Sequence, residues 1–121
     1  MRNEVIENAV AKAQRCGYLV RPGAVFDFVR QKDGIVEMDP FGAVVWNSGN
    51  MAMFVDGFPK GWYTELANII REDSWWLHRF IMGYDRAFPM MRDISKKGEN
   101  ERWVCDEVAA YGLECRKKWS R

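Results

Sequence analysis

The sequence predicts a single α+β domain over residues 1–121, mainly helical, with four or five helices packed around an aromatic segment at about 75–86 and a small β-hairpin at about 24–38. Three observations predict it. Apolar residues recur at helical spacing in several separate segments, whereas aromatic and β-branched residues gather on both sides of one turn signal. A chain of 121 residues that is 48% hydrophobic can also bury about two-thirds of the surface its unfolded form exposes, enough for a core without disulfide or metal staples.

The first helix runs from about Asn3 to Arg15, where Val5, Ile6, Ala9, Val10 and Ala13 form one stripe; Gly17 supplies the stop. Tyr18-Leu19-Val20 and Val25-Phe26-Asp27-Phe28-Val29 read as strand, and Lys32-Asp33-Gly34 turns the second of them into Ile35-Val36-Glu37-Met38. Asp39-Pro40 opens a short helix through Asn47, because Asp accepts from free amides and Pro is tolerated at the first helical position. Ser48 to Gly61, with three glycines and Pro59 but also Met51, Met53, Phe54 and Phe58, reads as an ordered apolar loop. Trp62, Leu66, Ile69 and Ile70 then share a helical face. After the capping pair Asp73-Ser74, the residues Trp75, Trp76, Leu77, Phe80, Ile81 and Tyr84 make a more apolar helix that stops near Pro89. Arg92 to Asn100 reads as an exposed connection, and a last helix is expected from about Glu101 to Trp119. Gly83 and Gly112, inside the last two helical patterns, would each let a neighbouring element approach closely.

Eighteen Lys and Arg against seventeen Asp and Glu leave a net charge of +1, so electrostatics selects no nucleic acid, acidic substrate or anionic membrane as partner. No apolar run approaches the roughly 20 residues that span a bilayer, and no signal-peptide core follows Met1. Together with an odd count of three cysteines, this predicts a cytoplasmic protein without membrane contact. Cys16, Cys105 and Cys115 have no metal-ligand spacing and His78 stands alone, so no metal or other cofactor is expected, and the thiols read as buried structural groups.

No nucleophile elbow, phosphate-binding glycine loop or carboxylate pair is present, and no catalytic residue can be named from spacing. An enzyme would have to use His78 with a carboxylate brought in by folding, Glu65 or Asp85. Nucleic acid is a second alternative: the helical hairpin at 66–84 has the outline of a helix-turn-helix, and Arg116, Lys117, Lys118 and Arg121 surround Trp119. The first turns of the second hairpin helix carry Trp75, Trp76 and Leu77, however, which suit a core better than base edges.

The feature furthest above background is six tryptophans beside four tyrosines and seven phenylalanines. A small core rarely encloses six indoles, each burying on the order of 200 Å2, so some are expected on a contact surface. The leading expectation is therefore a non-enzymatic module that binds a protein partner, with Met53, Phe54, Phe58 and Trp62 as contact residues; homodimerisation would also absorb surplus aromatic surface.

Two stretches carry a resemblance. Asp33-Gly34 followed by Asp39-Pro40-Phe41-Gly42-Ala43 is similar to an Asp-Gly … Cys-Pro-x-Gly-Ala pattern, and Trp76 through Phe80 to Gly83-Tyr84-Asp85 is similar to Trp-x-x-x-Phe-x-x-Gly-Phe-Asp. Both patterns belong to small bacterial and phage proteins with no assigned activity, and together they cover about a third of the chain. Asp39 stands where those proteins often have Cys, which removes a thiol role there. The resemblance implies an accessory cytoplasmic protein of a phage or prophage, with no cofactor or catalytic residue to transfer.

Overall fold

The computed structural model describes residues 2–22, 29–32, 34–50, 60–93, 98 and 102–120. The fold is a small α+β domain that has, among the described residues, five helices and two small sheets, in the order α1 (Glu4–Arg15), β1 (Leu19–Val20), β2 (Val29–Lys32), β3 (Ile35–Met38), α2 (Pro40–Asn47), α3 (Trp62–Ile69), α4 (Ser74–Tyr84), β4 (Met90–Arg92), β5 (Trp103–Cys105) and α5 (Glu107–Trp119).

Four of the five described helices begin where the sequence offers a side-chain acceptor; α3 follows Gly61 without one. Asn3 Oδ1 accepts the Ile6 N–H at 3.0 Å, Asp39 Oδ1 the Gly42 N–H at 2.7 Å, Asp73 Oδ1 the Trp76 N–H at 2.6 Å and Asp106 Oδ1 the Ala109 N–H at 2.9 Å. These caps satisfy amides that would otherwise lack partners and place an acceptor at the positive end of each helix. In the first sheet β3 is central, parallel to β1 and antiparallel to β2, with Lys32 opposite Ile35, so the strands on either side of the Lys32-Asp33-Gly34 turn signal pair as expected. The part of the expected hairpin at 24–28 lies outside the described residues.

Phe80 lies at the centre of the core. Trp76, Phe80 and Tyr84 recur every four residues along α4, and their rings stack in a column with centroids 5.5 and 6.0 Å apart. Phe41 from α2 and Tyr111 from α5 meet the Phe80 ring edge-on at 5.7 and 5.6 Å. Trp119 closes the far end against Tyr84 at 6.1 Å. Between α4 and α5 the two helix backbones touch at Gly83 and Gly112: a Cβ on Gly83 would fall on the Ala109 carbonyl, and one on Gly112 on the Phe80 carbonyl. The close approach read from those two glycines is therefore the main helix crossing of the fold.

Three expectations are corrected. Arg92, expected to open an exposed connection, instead ends a strand: Met90 pairs with Cys105, Met91 with Val104 and Arg92 with Trp103 in a second, antiparallel sheet. Consequently α5 starts at Glu107, after the Asp106 cap, and not near Glu101; residues 103–105 are strand. The thiols differ too: Cys115 is buried, while Cys16 and Cys105 are exposed, the first just beyond α1 and the second on an outward-facing strand position.

Candidate interaction surface

The second sheet carries the most exposed aromatic surface among the described residues. Side chains alternate across a strand, so Met91 and Val104 face the body of the protein while Met90, Arg92, Trp103 and Cys105 face outward. Trp103 is 53% exposed and Met90 37%, and Phe88, 40% exposed just before β4, packs edge-on against Trp103 with centroids 5.2 Å apart. The ribbon is held to the helices at both ends of its base. Arg79 Nε of α4 donates to Asp106 Oδ2 at 2.8 Å, and the Phe88 N–H donates to the Met82 carbonyl at 2.9 Å. Trp75, 51% exposed at the start of α4, is stacked on the His78 ring at 5.3 Å. Rings fixed in this way lose little conformational freedom when a partner covers them.

The residues proposed from sequence are distributed differently. Met53, Phe54 and Phe58 lie outside the described residues, and Trp62 is half-buried, packed against the core and edge-on to Tyr63 at 5.1 Å. The six tryptophans divide into buried Trp76 and Trp119, half-buried Trp46 and Trp62, and exposed Trp75 and Trp103. The signal that could have found Trp103 is its Trp-Val-Cys setting, a β-prone triplet directly before a capping Asp.

The C-terminal cations are partly engaged within the fold. Arg116 Nη1 donates to the carbonyls of Tyr84 and Asp85 at 2.8 and 2.9 Å, closing the end of α4, and Lys118 Nζ donates to Glu7 Oε1 at 3.2 Å. Lys117 is exposed, and Arg121 lies outside the described residues. His78 contacts Trp75, and among the described residues it makes no hydrogen bond to Glu65 or Asp85. Three grooves on the described surface have other linings, such as Arg2, Glu7, Gln14 and Lys118 in the broadest. No group of three or more His, Cys, Asp or Glu among the described residues could hold a metal ion. No described helix is long and apolar enough to cross a membrane.

The densest polar cluster joins α1 to α5. Glu7 accepts from Arg2 Nε at 3.0 Å, from Tyr111 Oη at 2.8 Å and from Lys118 Nζ at 3.2 Å, while Tyr111 Oη accepts the Asn3 N–H at 3.0 Å. Burial pushes the Glu7 carboxyl upward, but the three donors together outweigh it and hold the group below its ordinary value of 4.5. Burial pushes the Tyr111 hydroxyl upward, so it remains a donor to Glu7, and raises the Cys115 thiol to about 11, which keeps that sulfur an unreactive thiol. A carboxyl that is more acidic folded than unfolded stabilises the protein above its unfolded pKa, and this contribution is lost as pH falls through the folded value. Urea titrations are expected to show stability declining below about pH 4.5, with Glu7→Gln reducing the slope; an unchanged slope would mean that Glu7 is not a linked group.

No protein-family model matches the chain, and comparison with curated proteins and with solved structures finds no significant match.

Proposed function

We propose that the chain is a small non-enzymatic interaction protein acting in the cytoplasm, and that it recognises a protein partner through the outward face of the β4–β5 ribbon. The observation that carries this reading is the grouping of Phe88, Met90 and Trp103 on one exposed face. Tryptophan and other aromatics concentrate binding energy at protein interfaces, and methionine adapts to irregular partner surfaces. The engagement of Arg116 and Lys118 within the fold favours a protein over a nucleic acid. The resemblance of the Trp76–Asp85 and Asp39–Ala43 stretches to small bacterial and phage proteins supports an accessory role in such a system.

The test is recovery of tagged protein from a bacterial lysate, with and without nuclease, followed by mass spectrometry. One stoichiometric protein is expected to survive nuclease, and Trp103→Ala is expected to weaken its binding by about 2 kcal/mol or more, roughly 30-fold. Equal retention by Trp103→Ala would place the contact elsewhere, and loss of all bound material on nuclease treatment would favour the nucleic-acid alternative.

A further inference from the structure

Among the described residues, the outer edge of β5 carries main-chain groups that have no partner. In the ribbon, the Asp93 N–H donates to the Arg102 carbonyl at 2.7 Å and the Asp106 N–H to the Pro89 carbonyl at 2.9 Å. Hydrogen-bonding direction alternates along an antiparallel ladder, so Arg102, Val104 and Asp106 address β4 while the N–H and C=O of Trp103 and Cys105 point away from it. The sheet has β4 and β5 as its two strands, and neither Trp103 nor Cys105 finds another main-chain partner among the described residues. An edge of this kind is a template for a further strand.

We propose that this edge pairs with the same edge of a second copy of the chain, antiparallel about a two-fold axis through Val104. In that register Trp103 faces the partner's Cys105 and Cys105 faces the partner's Trp103. Both are pairs of the hydrogen-bonded kind, so four N–H···O=C bonds satisfy every outward group of the two strands. Sliding the register by two residues would set Trp103 against the partner's Trp103 and leave Cys105 facing a residue beyond the strand. The dimer register is thus dictated by which groups are free.

Charge follows the same register. Arg102, largely exposed and loosely paired with Asp93 at 3.9 Å, lies opposite the partner's Asp106, a carboxylate that also accepts from the partner's Arg79 and caps α5 there, and the two-fold repeats the arrangement. On the outward face Trp103 lies between its own cross-strand neighbour Arg92 and the partner's Cys105, with the partner's Met90 next in the row. This covers part of the most exposed tryptophan. A net charge of +1 gives the copies little mutual repulsion. A strand from an unrelated protein could use the same edge, but the self-matching hydrogen bonds and the Arg102–Asp106 complementarity favour a second copy. The inference concerns the strand edge and not the outward face, so the lysate experiment and the one below can fail separately.

The test is sedimentation velocity of the full chain alone over rising concentration, where a reversible monomer–dimer equilibrium is expected. Arg102→Glu, which places a carboxylate opposite the partner's Asp106 twice, is expected to raise the dissociation constant at least tenfold without changing the circular dichroism spectrum. Directly opposed residues of a non-hydrogen-bonded pair have Cα atoms about 4.5 Å apart, within disulfide reach. Val104→Cys in a Cys16→Ser, Cys105→Ser background is therefore expected to give a covalent dimer on mild oxidation. A chain that stays monomeric at all concentrations would overturn the proposal. So would a dimer indifferent to Arg102→Glu whose Val104→Cys variant does not cross-link.

Discussion

Alanine at Gly83 or Gly112 is expected to destabilise the protein by about 3–5 kcal/mol, although alanine ordinarily stabilises a helix interior by about 0.5–1 kcal/mol relative to glycine. The reversal of sign comes from what the added methyl would meet. At Gly83 it would overlap the Ala109 carbonyl and approach the Leu113 nitrogen at 2.8 Å; at Gly112 it would overlap the Phe80 carbonyl and approach the Tyr84 nitrogen at 2.9 Å and the Gly83 Cα at 3.3 Å. All of these are main-chain atoms of a packed helix, and no rotamer change can move them aside. Relief requires α4 and α5 to separate, which would loosen the contact of Phe80 with Tyr111 and of Tyr84 with Trp119. Urea midpoints of the two variants are the measurement. Because one separation relieves both overlaps, the double variant should lose clearly less than the sum of the single losses. A midpoint equal to or above that of the parent for either single variant would contradict the close crossing.

That crossing was legible in the sequence, because glycine inside an apolar helical pattern has few explanations other than close approach. Two helix starts were legible for a similar reason: Asp39 and Asp73 are residues whose side chains suit a cap, and each cap acts locally, whereas Asn3, read as the first helical residue, is the cap of α1. The β4–β5 ribbon was not. Its strands are three residues long, too short for alternation to register, and they are separated by a polar stretch that resembles a connection. Val104 also fits the helical spacing of Val108 and Tyr111, so the pattern of α5 extends upstream past the point where Asp106 begins the helix.

The candidate surface was harder to read than the fold. Periodicity identifies which face of an element is apolar, but not whether a distant element covers it. Trp119, close to the end of the sequence, is buried because Tyr84 lies beside it, whereas Trp103 is exposed because no described element covers the outward side of β5. Trp62 gives the same compositional signal as Trp103 and is half-buried, packed against the core.

Asn3→Ala is expected to cost about 2–4 kcal/mol, more than a surface helix cap, because Asn3 joins three elements from a buried position. Its Oδ1 caps α1 at the Ile6 N–H, its Nδ2 donates to the Ile70 carbonyl at 2.8 Å where α3 ends, and its main-chain N–H donates to Tyr111 Oη of α5. Alanine retains only the last of these. The lost cap accounts for about 1 kcal/mol, and a buried Ile70 carbonyl without its donor adds about 1–3 kcal/mol. Asn3→Asp separates the two contributions. Aspartate can still accept from Ile6, and its charge suits a helix N-terminus, but it sets a carboxylate against the Ile70 carbonyl where a donor stood. It is therefore expected to remain well below the parent in urea unfolding at neutral pH and to recover part of the difference as the pH is lowered and the carboxyl regains a proton to donate. If Asn3→Asp matches the parent at neutral pH, the amide's bond to Ile70 contributes nothing and Asn3 acts as a cap alone.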